Sequence, residues 1–144
     1  MAKVEASLPP ERASLLLVDD EPAVLKVTQR LLERRGYQVV ACNSAEEALT
    51  WLGREVFDVV LSDVQMPGIG GLGLLRAVHE QDAQLPVILV TGNPSEEAEL
   101  VAKELCAFQY LTKPVAYEQL DEVVAKATNS SRRSSRRLLV VRTR

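Results

Sequence analysis

Three acidic residues, a hydroxyl and a lysine follow short apolar runs in this chain of 144 residues. In chain order, they are Asp19, Asp20, Asp63, Thr91 and Lys113. The carboxyl ends of the strands in an open parallel α/β sheet share one edge, so these side chains are expected to meet there. Carboxylate oxygens suit Mg²⁺ or Mn²⁺, and a carboxylate can act as a nucleophile that forms an aspartyl phosphate. The pattern therefore predicts a metal-dependent site for a phosphoryl group.

The types of these residues suggest a division of roles. Asp63 can carry the phosphoryl group, whose oxygens would be neutralised by Mg²⁺ and Lys113 and hydrogen-bonded by the Thr91 hydroxyl. Asp19 and Asp20 are adjacent at a strand end and can supply charge to the metal. Without a cation, three crowded carboxylates would repel one another and raise at least one pKa. We therefore expect Asp19, Asp20 and Asp63 to bind the metal, with Lys113 and Thr91 contacting the phosphoryl group.

The elements that must position these residues alternate in type along the chain. Short runs rich in β-branched and aliphatic residues, typical of strands buried on both faces, are separated by stretches with helical spacing. The strands are predicted near residues 15–18, 39–41, 58–63, 87–91 and 107–111. Five such units predict an α/β fold, with a doubly wound five-stranded parallel sheet and right-handed crossovers. A flavodoxin-like (βα)5 fold with strand order 2-1-3-4-5 is expected at this size.

Several residues mark the starts of helices. Pro22 lies where the first turn of a helix accepts proline. Ser44 and Glu47 form a capping box, and Ser95 can cap a later helix. The apolar spacing of the last helix predicts that it extends from about residue 115 to residue 127.

The composition is that of an ordinary globular protein, with 47% hydrophobic and 26% charged residues. No apolar run approaches the roughly 18 residues that a membrane helix needs, and the N-terminus lacks a secretory signal. Cys42 and Cys106 are far apart and form no C-x-x-C motif, so we expect both to be free cysteines buried as small hydrophobic residues. His79 is expected to be a surface residue without a catalytic role. These observations predict a cytoplasmic protein with no membrane segment.

The charge is distributed unevenly along the chain. The segment from Ser130 to Arg144 contains six arginines and no acid, so it carries a charge of +6. Since the overall charge is −3, the rest of the chain carries −9. An acidic body argues against a nucleic-acid surface, and the basic segment is too short for a helix-turn-helix unit. We expect a disordered lead-in at 1–12, a single domain at 13–127 and a basic flexible tail at 128–144. The tail could be a linker to a missing effector domain, bind an acidic partner, or contact nucleic acid weakly and without sequence specificity.

Four strings resemble the receiver domain of two-component response regulators, in the order and spacing of that family. They are Leu15-Leu16-Leu17-Val18-Asp19-Asp20-Glu21, Asp63-Val64-Gln65-Met66-Pro67-Gly68, Thr91-Gly92 and Tyr110-Leu111-Thr112-Lys113-Pro114. The resemblance covers about residues 13–127. It implies that Asp63 is the phosphoacceptor, that Asp19 and Asp20 are the acidic magnesium pair, and that Lys113 contacts the phosphate. These implied roles match those deduced from the residue types.

The resemblance also implies a reaction and a switch. A sensor histidine kinase or histidine phosphotransfer protein would donate to Asp63 in the presence of Mg²⁺, with the backbone carbonyl of Gln65 as a further metal ligand. Thr91 would then move toward the phosphoryl group while Tyr110 turns inward. This would reshape the face of the fourth helix, fifth strand and fifth helix, where a partner or second copy would bind. One departure from the family is Cys106, at a position where receivers often carry glycine.

Two other functions fit less well. Residues 68–73 match G-x-G-x-x-G, but Pro67 separates them from the strand and the next strand ends at Thr91 instead of an acid. We therefore expect these glycines to form a loop beside Asp63. A haloacid-dehalogenase-type phosphatase would need a second aspartate at the position of Gln65. The chain is thus predicted to be a signalling phosphoacceptor that catalyses only its own phosphorylation and dephosphorylation; the alternative is a receiver-like interaction module that works without phosphorylation.

Overall fold

The computed structural model describes residues 13–143, with side chains described for residues 13–131. The described strands are β1 (Ser14–Val18), β2 (Gln38–Cys42), β3 (Val59–Asp63), β4 (Val87–Thr91) and β5 (Gln109–Thr112). The helices are α1 (Pro22–Arg34), α2 (Ala45–Leu52), α3 (Gly70–Gln81), α4 (Glu96–Glu104) and α5 (Tyr117–Thr143). All strand pairs are parallel, and the order β2-β1-β3-β4-β5 confirms the predicted fold. The lead-in predicted at 1–12 lies outside the described residues.

The helices cover both faces of the sheet. Side chains of β1 alternate between the faces: Leu15 and Leu17 pack in one cluster with α1 and α5, whereas Leu16 and Val18 pack in the other with α2, α3 and α4. Every residue of β3 and β4 is buried, which explains the apolar runs with which both strands begin. Within the described part of the chain, no helix has both the length and the apolar character that a membrane span requires.

The predicted helix caps are present. The Ser44 hydroxyl accepts a hydrogen bond from the Glu47 N–H (3.1 Å), and the Glu47 carboxylate accepts one from the Asn43 N–H (3.2 Å). The Ser95 hydroxyl accepts one from the Ala98 N–H (3.0 Å) at the start of α4. The bonds to Ser44 and Ser95 satisfy backbone donors that the first turn of a helix otherwise leaves unpaired.

The glycines after Asp63 were expected to form a loop, and this prediction is wrong for most of them. Residues 70–73 lie in the first turn of α3. Gly70 has a φ of +67°, and a Cβ on Gly71 would collide with the carbonyl oxygen of Asp63. The helix can begin directly against the end of β3 because these two residues lack side chains. This close approach also limits how far the main chain at Asp63 can move.

The last helix continues past its predicted end at Ala127. Thr128 and Ser131 are buried, and the Thr128 hydroxyl donates a hydrogen bond to the carbonyl oxygen of Val124 (2.8 Å). Small polar residues can therefore prolong the packed face of α5 once their hydroxyl groups bond to the helix itself. Residues 128–143 of the tail predicted at 128–144 consequently belong to this helix, a continuation that the serines and arginines of the tail did not suggest.

His79 is half-buried and connects α3 to its neighbours, where a surface side chain was expected. Its Nδ1 lies 2.9 Å from the carbonyl oxygen of Leu105, and its Nε2 lies 3.1 Å from that of Leu85. Both partners are carbonyl oxygens, so a ring nitrogen that carries a proton can donate a hydrogen bond to the oxygen beside it. His79 therefore ties α3 to the segments on either side of β4.

Cys42 is buried as expected, but the expectation was wrong for Cys106, which is exposed. Cys106 occupies the left-handed region of backbone conformation, with a φ of +63°. A non-glycine residue in this region costs roughly 1–2 kcal/mol, and glycine avoids that cost. We expect Cys106→Gly to raise the free energy of unfolding by about 0.5–1 kcal/mol, since glycine's greater freedom in the unfolded chain offsets part of the gain. Urea unfolding measures this change. Cys106→Ala keeps the strain and should show no gain; an equal gain in both variants would contradict the explanation.

Candidate functional site

Four of the predicted site residues lie at one edge of the sheet. Asp63 and Thr91 are the last residues of β3 and β4, while Asp19 directly follows β1 and Lys113 directly follows β5. Thr91 pairs in register with Thr112, and the Lys113 N–H donates to the Thr91 carbonyl oxygen (2.8 Å). Parallel pairing in this register brings together side chains that are up to 94 positions apart in the chain.

The three acids form a compact cluster. One carboxylate oxygen from each of Asp19, Asp20 and Asp63 lies within 4.8 Å of the others. Asp19 and Asp63 are buried (6% and 7% exposed), whereas Asp20 is exposed. The Gln65 N–H donates to Asp63 Oδ1 (3.2 Å), so the main chain of Gln65 lies beside the cluster. An all-oxygen set with an open side fits Mg²⁺ or Mn²⁺, both of which prefer carboxylate and water ligands.

Lys113 provides a positive charge next to the buried acids. Its Nζ lies 3.0 Å from Asp63 Oδ2 and 3.5 Å from Asp19 Oδ2. Burial by itself would lower the pKa of Lys113. The hydrogen bond with Asp63 and the charges of Asp19 and Asp63 outweigh that effect, so the pKa is raised. The Lys113–Pro114 peptide bond is cis. Because its pKa is raised, Lys113 carries its charge at neutral pH.

The environment of Asp19 disfavours its ionised carboxylate. Burial raises its pKa, and the negative charge of Asp63 raises it further. The hydrogen bond from the Glu21 N–H (3.0 Å) and the charge of Lys113 lower the pKa without cancelling these effects. Because the ionised carboxylate is disfavoured here, a cation bound between the acids would relieve the site.

The Thr91 side chain is fully buried and held by its neighbours. Its hydroxyl donates to Gln65 Oε1 (2.8 Å) and accepts from the Asn93 N–H (3.0 Å). Gln65 Nε2 in turn donates to the Asn93 carbonyl oxygen (3.0 Å). The sequence predicts a role only for the main chain of Gln65. No local pattern indicates this side-chain bridge, because its partners lie 26 and 28 positions away.

A cavity of about 560 Å³ opens at this edge of the sheet. Asp19, Asp63 and Lys113 line its polar part, while Val24 and Leu120 contribute apolar wall from α1 and α5. The cavity gives the acidic cluster access from outside the protein. An arrangement of a buried carboxylate, a charged lysine and a cation-binding cluster suits covalent phosphoryl chemistry at Asp63.

Comparison with known families identifies the domain. A family model for the response regulator receiver domain matches residues 15–125, a range that contains every residue of this site. The chain belongs to the response regulator receiver family. The resemblance noted in the sequence is thereby confirmed.

Solved structures and curated proteins agree with this membership. A CheY-like receiver domain from Methanospirillum hungatei matches with a TM-score of 0.82 and 30% identity, covering 86% of this chain and 99% of that one. The C4-dicarboxylate transport transcriptional regulatory protein DctD of Pseudomonas aeruginosa is 36% identical over 81% of this chain and 25% of its own length. The transcriptional regulatory protein GlrR of Escherichia coli is 34% identical over 90% of this chain and 30% of its own length. The receiver therefore spans less than a third of these two relatives.

Tyr110, the receiver's predicted switch aromatic, is half-buried on β5 and packs against the core cluster of α3 and α4. Its hydroxyl is buried and has no hydrogen-bond partner in the part of the chain that the structure describes. A buried, unpaired hydroxyl costs roughly 1–3 kcal/mol. The conformation with this hydroxyl inside the domain is therefore costly.

Removal of that hydroxyl should stabilise the receiver. We expect Tyr110→Phe to raise the free energy of unfolding by about 1 kcal/mol, because the ring keeps its packing while an unpaired polar group is lost. Denaturant unfolding without Mg²⁺ measures the change. Tyr117→Phe, at the start of α5, is the matched control, because the Tyr117 hydroxyl is not among the described buried groups without a partner; it should stay within about 0.5 kcal/mol of the wild type. A destabilised Tyr110→Phe variant would show that the hydroxyl has a favourable partner.

Proposed function

We propose that this receiver accepts a phosphoryl group on Asp63 from a phosphohistidine of a sensor kinase or histidine phosphotransfer protein. The observation that carries the proposal is the buried Asp63 carboxylate, 3.0 Å from Lys113 Nζ and inside the acidic cluster. Asp19, Asp20, Asp63 and the Gln65 carbonyl would hold Mg²⁺ or Mn²⁺, which supplies positive charge to the phosphoryl oxygens. The proposed reaction places the receiver in the cytoplasm, together with its kinase.

The transfer balances without a further reactant. An Asp63 carboxylate oxygen forms a bond to phosphorus as the phosphorus–nitrogen bond of the donor histidine breaks. The histidine nitrogen keeps the electron pair of that bond, and the ring leaves as neutral imidazole because its other nitrogen already carries a proton in the donor. Lys113 is positioned to neutralise a phosphoryl oxygen, and the Thr91 hydroxyl can hydrogen-bond another. In this proposal the chain is a signalling phosphoacceptor and does not turn over external substrates.

The modified receiver would act through a changed surface. The phosphoryl group shifts the population toward a conformation whose contacts with Thr91 exist only in the modified state. The face of α4, β5 and α5 is our candidate for the new contact, made with a partner or a second copy. Leu100 on α4 is 60% exposed and offers apolar area there. Because DctD and GlrR are transcriptional regulators, an effector domain beyond residue 144 is another candidate recipient of the signal.

The proposal is tested by intact-mass measurement after incubation with acetyl phosphate and Mg²⁺. We expect the wild-type chain to gain one phosphoryl group, and to gain none when EDTA removes the metal. Asp63→Asn should gain none under any condition, because the amide is not a nucleophile at neutral pH. Asp58→Asn, which changes an acid at the opposite end of β3, is the matched control and should still be modified.

Two results would contradict the proposal. Retention of a phosphoryl group by Asp63→Asn would move the acceptor to another residue. A lack of modification from both acetyl phosphate and a panel of phosphohistidine donors, in a folded chain that binds Mg²⁺, would favour the phosphorylation-independent interaction module.

A further inference from the structure

The carboxamide of Gln65 joins the loop after β3 to the loop after β4. Its Oε1 accepts the Thr91 hydroxyl proton (2.8 Å), and its Nε2 donates to the Asn93 carbonyl oxygen (3.0 Å). The Asn93 N–H closes the arrangement by donating to Thr91 Oγ1 (3.0 Å). The three hydrogen bonds form a ring in which both ends of the amide are used. We call this ring the Gln65 bridge.

The Gln65 bridge uses the hydroxyl proton of Thr91, which Thr91 would need in order to donate a hydrogen bond to a phosphoryl group on Asp63. A threonine hydroxyl has a single proton, and in this ring Thr91 gives it to Gln65. The phosphoryl oxygens at Asp63 are acceptors, so Thr91 can bond to them only by withdrawing that proton from Gln65. The Gln65 side chain is itself exposed, but the Thr91 hydroxyl that it holds is fully buried.

The same residue also contacts the phosphoacceptor. The Gln65 N–H donates to Asp63 Oδ1 (3.2 Å), while its side chain holds Thr91. A change in charge or position of the Asp63 carboxylate therefore alters the hydrogen bond to the main chain of Gln65, whose side chain restrains the Thr91 hydroxyl. No other described residue hydrogen-bonds to both Asp63 and Thr91 side chains.

We infer that the Gln65 side chain is a positioning residue that holds Thr91 in the resting arrangement and competes with the phosphoryl group for its hydroxyl proton. The inference rests on the proposed function of Asp63 and specifies how the resting state is maintained. Loss of the Gln65 bridge should free Thr91 and make the active conformation easier to reach. The energy difference is that of one net neutral hydrogen bond, so the expected effect on ligand affinity is roughly 2- to 10-fold.

The test uses Gln65→Met, which keeps the length of the side chain and removes both hydrogen bonds. Gln81→Met, at the far end of α3, is the matched control. The probe is beryllofluoride with Mg²⁺, a mimic of a phosphoryl group on a carboxylate, titrated while the NMR signals of the protein are followed. We expect Gln65→Met to bind the probe roughly 2- to 10-fold more tightly than the wild type and Gln81→Met to bind it equally.

A double-mutant cycle separates this role from a merely structural one. In a Thr91→Val background, Gln65→Met should produce no further change in affinity, since valine has no proton to compete for. An increase of the same size in that background, or equal affinities of Gln65→Met and the wild type, would overturn the inference.

A second measurement needs no phosphoryl mimic. In the absence of metal, scalar couplings of Thr91 should report one χ1 rotamer in the wild type and a mixture in Gln65→Met. An unchanged single rotamer in Gln65→Met would show that the bridge does not hold Thr91. If the wild type bound no beryllofluoride at all, the proposed function and the competition would both be overturned, while the rotamer result would still decide whether the bridge exists.

Discussion

Asp19→Asn is expected to raise the thermal unfolding midpoint in EDTA and to abolish most of the increase that Mg²⁺ produces in the wild type. Burial and Asp63 raise the pKa of Asp19, so its ionised form is disfavoured in the folded chain. Asparagine keeps an oxygen for the Glu21 N–H but removes that charge. The gain should be on the order of 1 kcal/mol, or a few degrees in the unfolding midpoint.

Asp19→Asn should raise stability in EDTA but reduce the further stabilisation that Mg²⁺ produces. A ligand that binds only the folded state at 100 times its dissociation constant stabilises it by about 2.7 kcal/mol. Asp19→Asn should lose most of this increment because one of its three carboxylates is gone. Asp82→Asn, an exposed acid after α3, should respond to Mg²⁺ like the wild type. An undiminished response in Asp19→Asn would exclude Asp19 as a metal ligand.

The pH dependence of this effect follows from the raised pKa. An acid whose pKa is higher in the folded than in the unfolded chain binds protons more tightly when folded, so it costs stability above both pKa values. The advantage of Asp19→Asn in EDTA should therefore be full at neutral pH. It should fade as the pH falls through the raised pKa of Asp19, which lies above 3.8. An advantage that grows on acidification would contradict this assignment.

Lys113→Ala is expected to keep the fold, to lose stability without metal and to bind Mg²⁺ more tightly. Lys113 is paired with two buried carboxylates, and its removal leaves Asp19 and Asp63 to repel each other. Breaking a fully buried pair costs 3–5 kcal/mol, and the partial exposure of this lysine (26%) reduces the expected loss to about 1–3 kcal/mol. Mg²⁺ should recover much of that loss, since it takes over the same carboxylates.

The same variant should weaken the switch. Asp63 can still react with acetyl phosphate, but one phosphoryl oxygen loses its cationic partner. The change in NMR signals of α4, β5 and α5 on modification should therefore be smaller than in the wild type. Lys126→Ala removes an exposed lysine (67% exposed) that pairs with Glu122, and it should leave stability and metal affinity nearly unchanged. Weaker Mg²⁺ binding by Lys113→Ala would show that the lysine does not compete with the metal.

Lysine and metal also differ in their response to pH. The pKa of Lys113 is raised above its ordinary 10.5, so its ion pairs contribute fully at neutral pH. That contribution is lost only as the pH rises through the raised value. The difference in stability between the wild type and Lys113→Ala should therefore be constant from neutral pH to about pH 9.

The sequence alone was sufficient for the fold and for the residues that meet at the sheet edge. Short apolar runs alternating with helical spacing are a strong signal, because a parallel sheet buried on both faces needs continuous apolar strands. Once the strands are parallel, a residue that ends a strand must lie at the common edge. Asp63 and Thr91 could thus be placed at the same edge of the sheet from their positions in the chain. The caps at Ser44 and Ser95 were equally readable, since each depends on residues within one helical turn.

Other features depended on contacts that no local pattern encodes. The length of α5 was underestimated because Thr128 and Ser131, polar by type, are buried in the fold. The sequence predicts a surface His79, whereas in the fold its ring nitrogens lie 2.9 and 3.1 Å from the carbonyl oxygens of Leu105 and Leu85. Such contacts depend on where separate segments pass each other, and hydrophobic periodicity carries no information about them.

The sequence by itself determined which chemical groups are present and at which edge of the sheet they gather, because the carboxyl ends of parallel strands share one edge. The strand order was expected only as the common choice for a domain of this size. The tertiary structure decided how those groups are connected: the pairing of Lys113 with two acids, the close approach of Gly71 to Asp63, and the bridge from Gln65 to Thr91. The physical reason is the range of the interactions. Patterning acts over a few residues. A hydrogen bond instead requires a donor–acceptor distance that is right to within a few tenths of an ångström, between atoms that only the folded chain brings together.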